Sequence, residues 1–112
     1  MLPLNVLEVR YYISEGGRSQ FEEWFSSVES AARAKIAAAI SRLEQGNTSN
    51  VKSVGGGVLE CRINFGPGYR VYFGRDGATL VILLMGGTKK RQQRDIAMAD
   101  ALWGAYKKRK RP

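Results

Sequence analysis

Between Leu59 and Phe65 the chain alternates: Leu59, Cys61, Ile63 and Phe65 interleave with Glu60, Arg62 and Asn64. A period of two sends the apolar set to one face of a pleated strand and the polar set to the other. Tyr69, Val71 and Phe73 repeat the pattern against Arg70 and Tyr72. The run Leu80 to Met85 is apolar without a break, which suits a strand flanked on both sides in mid-sheet. Turn residues separate the three. Gly66-Pro67-Gly68 matches a type II turn, with proline presetting φ and glycine taking the positive value. Asp76-Gly77 is the dipeptide that two-residue hairpins favour. The stretch therefore predicts a three-stranded meander that leaves through the glycine-rich basic loop Gly86 to Arg91.

Earlier in the chain, Leu7, Val9, Tyr11 and Ile13 alternate with Glu8, Arg10 and Tyr12, predicting a half-buried strand over Val6 to Ile13. Ser19 with Glu22 has capping-box spacing, and Phe21, Trp24, Phe25 and Val28 then fall on one helical face. A second helix is expected after Glu29-Ser30, with Ala32, Ile36, Ile40 and Leu43 buried and Gly46 as its stop. Ala37-Ala38-Ala39 favours helix and close packing. Asn47 to Gly57, polar and ending in three glycines, reads as a connecting loop. After the meander, Ile96, Ala99, Trp103 and Tyr106 mark an amphipathic helix from Arg91 to Tyr106. The order is strand, helix, helix, three strands, helix. That is an α+β domain over residues 1–106, followed by a basic tail at 107–112.

Charge sharpens this picture. The formal net charge is +8, and it is unevenly placed. Residues 1–68 carry seven Lys or Arg against seven Asp or Glu, whereas residues 69–112 carry eleven against three. A polyanionic partner is implied, whether nucleic acid, acidic protein or anionic membrane surface. Cys61 falls on the apolar face and reads as a small core residue; the chain has no histidine to activate it. No apolar run reaches transmembrane length, and the amino terminus lacks the marks of a secretory signal, so a cytoplasmic protein without membrane contact is expected.

Parity places Glu60, Arg62, Arg70 and Tyr72 on one sheet face, with Lys89, Lys90 and Arg91 leaving the central strand nearby. Cations around an aromatic, bordered by a basic loop, suit a phosphodiester chain with a base to stack on. The same pattern also describes solvated positions on a half-exposed antiparallel sheet. Glu60 and Tyr72 are the face's candidate RNA contacts, with Lys52 in the preceding loop and Arg94 on the final helix as flanking ones. Acidic residues are scattered, so no metal site is expected and no cofactor is called for. With no histidine, any general base at such a site must be a lysine or a carboxylate, unless the bound partner supplies it. A lysine crowded by guanidinium groups is driven toward the neutral form such work needs. Arginine instead holds charge on a pentacoordinate phosphate.

Five stretches carry a family likeness: Arg18 to Trp24, Leu43 to Asn47, Val51 to Val58, Leu59 to Phe73 with its FGPGYRVYF, and Leu83 to Ile96 with GGTKKRQQRDI. Together they resemble the addiction-module killer branch of RelE/HigB-type toxins. The resemblance implies a RelE-like fold, with helices packed on one face of a mostly antiparallel sheet and RNA on the other. It implies a type II toxin that enters the ribosomal A site, cuts the bound mRNA, and is neutralised by an antitoxin. In this branch the antitoxin usually carries a helix-turn-helix, through which alone operator DNA is reached. By the same resemblance Arg70, of the G-Y-R motif, sits at the scissile phosphate, and Arg62 stands where relatives have a catalytic lysine. Lys89, Lys90 and Arg91 occupy the loop that carries another catalytic cation. The related ParE branch shares the fold but targets DNA gyrase, and fold alone does not choose between them. A non-catalytic RNA-binding module is the third alternative.

Overall fold

The computed structural model describes residues 6–110. Its elements in order are β1 (Glu8–Tyr11), α1 (Gln20–Ser27), α2 (Ser30–Glu44), β2 (Val51–Gly55), β3 (Val58–Ile63), β4 (Tyr69–Asp76), β5 (Leu80–Thr88) and α3 (Gln92–Lys110). A short 3-10 turn, Lys89–Arg91, joins β5 to α3. The strands form one five-stranded sheet in the order β1-β5-β4-β3-β2. All pairs are antiparallel except β1 with β5. This is the α+β, RelE-like architecture the sequence predicts, with one strand more. No helix among the described residues is long and apolar enough to cross a membrane.

Local chemistry accounts for the helices. Ser19 caps α1, its hydroxyl accepting from the Glu22 N–H at 3.1 Å. The α2 face buries Ala32, Ile36, Ala39 and Leu43, one residue different from the expected stripe because Ile40 sits at its half-buried edge. These helices pack with Cys61, Ile63, Val71, Phe73, Val81 and Leu83 in one core. The alternation in β3 and β4 therefore faces as expected, and burial pushes the Cys61 thiol up.

The opposite face is where expectation gives way. Instead of lying open, it is covered by α3, whose Ala99 and Trp103 pack with Val58, Tyr72, Ile82, Leu84 and Met85 in a second core. Two helices lie on one face and the third on the other. The unbroken apolar run of β5 follows directly, because a strand covered on both sides has no polar face to show. A bulge assists: Tyr72 pairs with Met85 while Phe73 pairs with Leu83, leaving Leu84 as the extra residue.

Other boundaries also move. Asn47 to Gly57 is not a plain loop, since Val51–Gly55 pairs antiparallel with β3 as an edge strand. At the end of β1 Tyr11 is 45% exposed, and just beyond it Tyr12 is buried while Ile13 is 42% exposed. The expected inward stripe of this edge strand stops at Val9. The β3–β4 turn closes one residue early: Gly68 N–H donates to the Phe65 carbonyl at 3.0 Å, and Gly66 takes a φ of 55°. Asp76 pairs with Leu80, so that hairpin has a three-residue loop. Basic residues 107–110 are the last turn of α3 rather than a separate tail; Arg111 lies outside the described residues.

Candidate functional site

Strand register assembles the charged groups. Arg62 pairs directly with Arg70, Glu60 with Tyr72, Lys52 with Glu60, and Arg70 with Gly87. Two guanidinium groups opposite one another on a sheet repel. Glu60 offsets this from the adjacent row. Its Oε1 lies 3.8 Å from Arg70 Nε, 3.9 Å from Arg62 Nε and 4.0 Å from Lys52 Nζ. Its Oε2 accepts from Gln92 Nε2, at the start of α3, at 2.8 Å. Glu60 is fully buried, so charge that water would screen acts here at short range.

Beyond the first turn of α3 the sheet end opens into a groove of about 460 Å³ lined by Arg62, Asn64, Phe65, Gly66, Pro67, Gly68, Arg70 and Lys89. Gly68, with a φ of 82°, lets the turn fold back so that its carbonyl accepts from Lys89 N–H at 2.8 Å. A Cβ at Gly68 would lie 3.5 Å from Lys89 Cβ and 3.6 Å from Arg70 Nη1. The turn thus seats Lys89 beside the two arginines. Arg70 is 4% exposed, and its Nη1 donates to the Tyr69 carbonyl at 3.2 Å. It is a held group at the groove wall. Arg62, at 49% side-chain exposure, is the solvent-facing partner.

Three of the five residues expected at a catalytic centre, Arg62, Arg70 and Lys89, line this groove. Lys90 and Arg91 are exposed on the 3-10 turn without lining it, and Arg94 is exposed on α3. Lys52 is on strand β2 beside Glu60 rather than in a loop. Glu60 and Tyr72 require correction as surface contacts. Both are fully buried, because α3 crosses this part of the face, so neither offers a base anything to touch. Burial first, and the Glu60 carboxylate second, hold the Tyr72 phenol far above its ordinary value.

Sequence reasoning missed Phe65, Asn64 and Gln92. Phe65 is among the groove's lining residues, half-buried against the core under α1 and α2, with Lys35 Nζ 5.7 Å from its ring centroid. Asn64 shares the pleat parity of Arg62, which was signal enough to find it. Gln92 carried no such signal, since only the path of α3 brings it to Glu60.

Residues 23–103 match the family described as "Phage derived protein Gp49-like (DUF891)". A protein of Haemophilus influenzae (strain Rd), described as uncharacterized, is 47% identical over 83 residues, which is 73% of this chain and 84% of that protein. The five-stranded sheet and three helices agree with the RelE-like toxin fold of that family. The chain belongs to the phage-derived Gp49-like family, a family associated with toxin–antitoxin modules.

Proposed function

We propose that this chain is the toxin subunit of a type II module and an endoribonuclease that cuts mRNA in the ribosomal A site. The observation that carries the reading is the groove: Arg62, Arg70 and Lys89 converge there from two strands and a turn. In such cleavage the ribose 2′-oxygen loses its proton and attacks the adjacent phosphorus, and the bond to the 5′-oxygen of the next nucleotide breaks, leaving a 2′,3′-cyclic phosphate and a 5′-hydroxyl protonated from solvent. Arg70 and Arg62 stabilise charge on the pentacoordinate phosphate. Lys89 is the lysine among the lining residues and takes the role of proton acceptor. Phe65, rather than Tyr72, supplies the ring on which a base stacks. The toxin works in the cytoplasm on the ribosome, and its partner is an antitoxin that covers or displaces this basic end, with a helix-turn-helix for operator DNA.

Arg62→Ala and Lys89→Ala test the reading, because both side chains reach solvent and their loss leaves the core intact. Primer extension on ribosome-bound message after brief induction should show discrete cuts for the parent chain. Each variant should lose them by about 100-fold or more, the scale for removing one group that stabilises transition-state charge. Growth arrest with intact message, undiminished in both variants, would sink the reading.

A further inference from the structure

Glu60 is fully buried, yet it faces three cations and directly hydrogen-bonds none of them. Among the described residues its Oε1 has no hydrogen-bond partner, and neither does the Nε of Arg70 beside it. A buried carboxylate costs several kcal/mol in desolvation, on the order given for ions in protein interiors, and a well-packed apolar residue would serve the core better. Its geometry suggests what it does instead. The Nε of Arg70 is turned to Glu60 Oε1 at 3.8 Å. At the other end, Nη1 is pinned to the Tyr69 carbonyl beside Gly68, at the groove. The guanidinium is thus held by one hydrogen bond at Nη1 and drawn by the buried charge at Nε, with the groove on its other side. Gln92 fixes the carboxylate in turn, donating 2.8 Å to the other oxygen.

We infer that Glu60 is a positioning residue: locked by Gln92 from the first turn of α3, its buried carboxylate sets the orientation of Arg70, and secondarily of Arg62, toward a phosphate in the groove. The inference rests on the groove being a phosphate site, as proposed above. It adds that the carboxylate never touches RNA and acts only through the arginines. It also gives α3 a part in the site, since the helix supplies the lock.

The test uses Glu60→Gln, close in shape but uncharged, with the full chain and programmed ribosomes. Two readouts are taken. The first is exchange of the Arg70 Nε proton with water, followed by NMR on the free protein. Exchange should be slow in the parent chain and about tenfold or more faster in the variant. The second is cleavage, where kcat should fall by about 100-fold, the size of effect expected of a misplaced group, with KM changed less than about threefold. Unchanged kcat, or unchanged exchange, overturns the inference. Should Glu60→Gln not fold, Gln92→Ala replaces it: the same two readouts should move in the same direction by about tenfold, and no movement overturns the inference. If the parent chain cuts no message at all, the nuclease reading fails. Nε exchange then still decides whether Glu60 holds Arg70.

Discussion

At Gly86 a Cβ would stand 2.2 Å from the Trp24 ring, and at Gly74 one would stand 2.4 Å from Trp103. The two glycines lie on opposite faces of the sheet, and each lets an indole rest directly on backbone. Gly86→Ala should therefore act as overpacking, costing about 1–3 kcal/mol. Thermal unfolding should show a lowered midpoint, with a shift in tryptophan emission as Trp24 is lifted. An unchanged midpoint would mean α1 is free to move off the sheet. A glycine inside a strand marks such an approach, so this packing was partly legible. In the sequence Gly86 and Gly87 read as loop instead, since the basic run after them resembles the end of a sheet. Side-chain parity was legible for a different reason: it is a local property, and it put Arg62 and Arg70 on one face correctly. Depth is not local. Nothing within β4 distinguishes Tyr72, buried under α3, from Arg70, two residues earlier at the groove wall.

At the scale of elements, β2 shows what pattern-reading loses. Val51 packs toward α2 and Val54 toward α3. Both faces of this edge are partly covered, so no period-two stripe forms. The signal that would have found it is Gly56-Gly57, with φ values of 64° and 87°, a pair suited to a two-residue hairpin. The end of α3 departs from its sequence pattern in a similar way. A terminal charge run usually stays solvated, but here Lys110 pairs with Asp76, Tyr106 donates to Asp76 Oδ2 at 2.5 Å, and Arg109 Nη1 donates to the Ile13 carbonyl at 2.6 Å. Lys110 first, then Tyr106, hold the Asp76 carboxyl below its usual range. The Tyr106 phenol is pushed up to about 12, by burial and then by Asp76. A depressed carboxylate stabilises the fold above its unfolded pKa, and that contribution is lost as pH falls through the lower, folded value. Asp76→Asn should thus melt below the parent chain at neutral pH. The gap should close as pH falls through and below the ordinary carboxylate range. A gap of constant size down to pH about 2 would mean that packing, not charge, holds the helix end.

Taken whole, the molecule confines its candidate chemistry to one end of a sheet whose central strands are otherwise covered on both sides. The open face expected from alternation is reduced to the groove beyond the first turn of α3. The cations at Lys107 to Lys110 sit at the far end of the same 19-residue helix, about 23 to 27 Å from its start at 1.5 Å per residue. That span exceeds the screening length of about 8 Å at physiological salt several times over. The two basic regions should therefore behave independently toward a small ligand and jointly toward a large one. For a four-nucleotide RNA whose three phosphates meet the three groove cations, the slope of log affinity on log salt should be about −2, at roughly 0.7 per phosphate neutralised on a single strand. Arg62→Ala should make that slope shallower by about 0.7, whereas Lys107→Gln with Lys108→Gln should leave it unchanged. Toward intact ribosomes the double variant should instead associate more slowly, because a polyanion larger than the protein reaches both ends of α3. Titrations with the short RNA across a range of salt, beside stopped-flow association with ribosomes, separate these outcomes. Equal slope losses for the groove and helix-end variants would show that the short RNA binds through diffuse charge, and the groove would lose its claim to hold the phosphate.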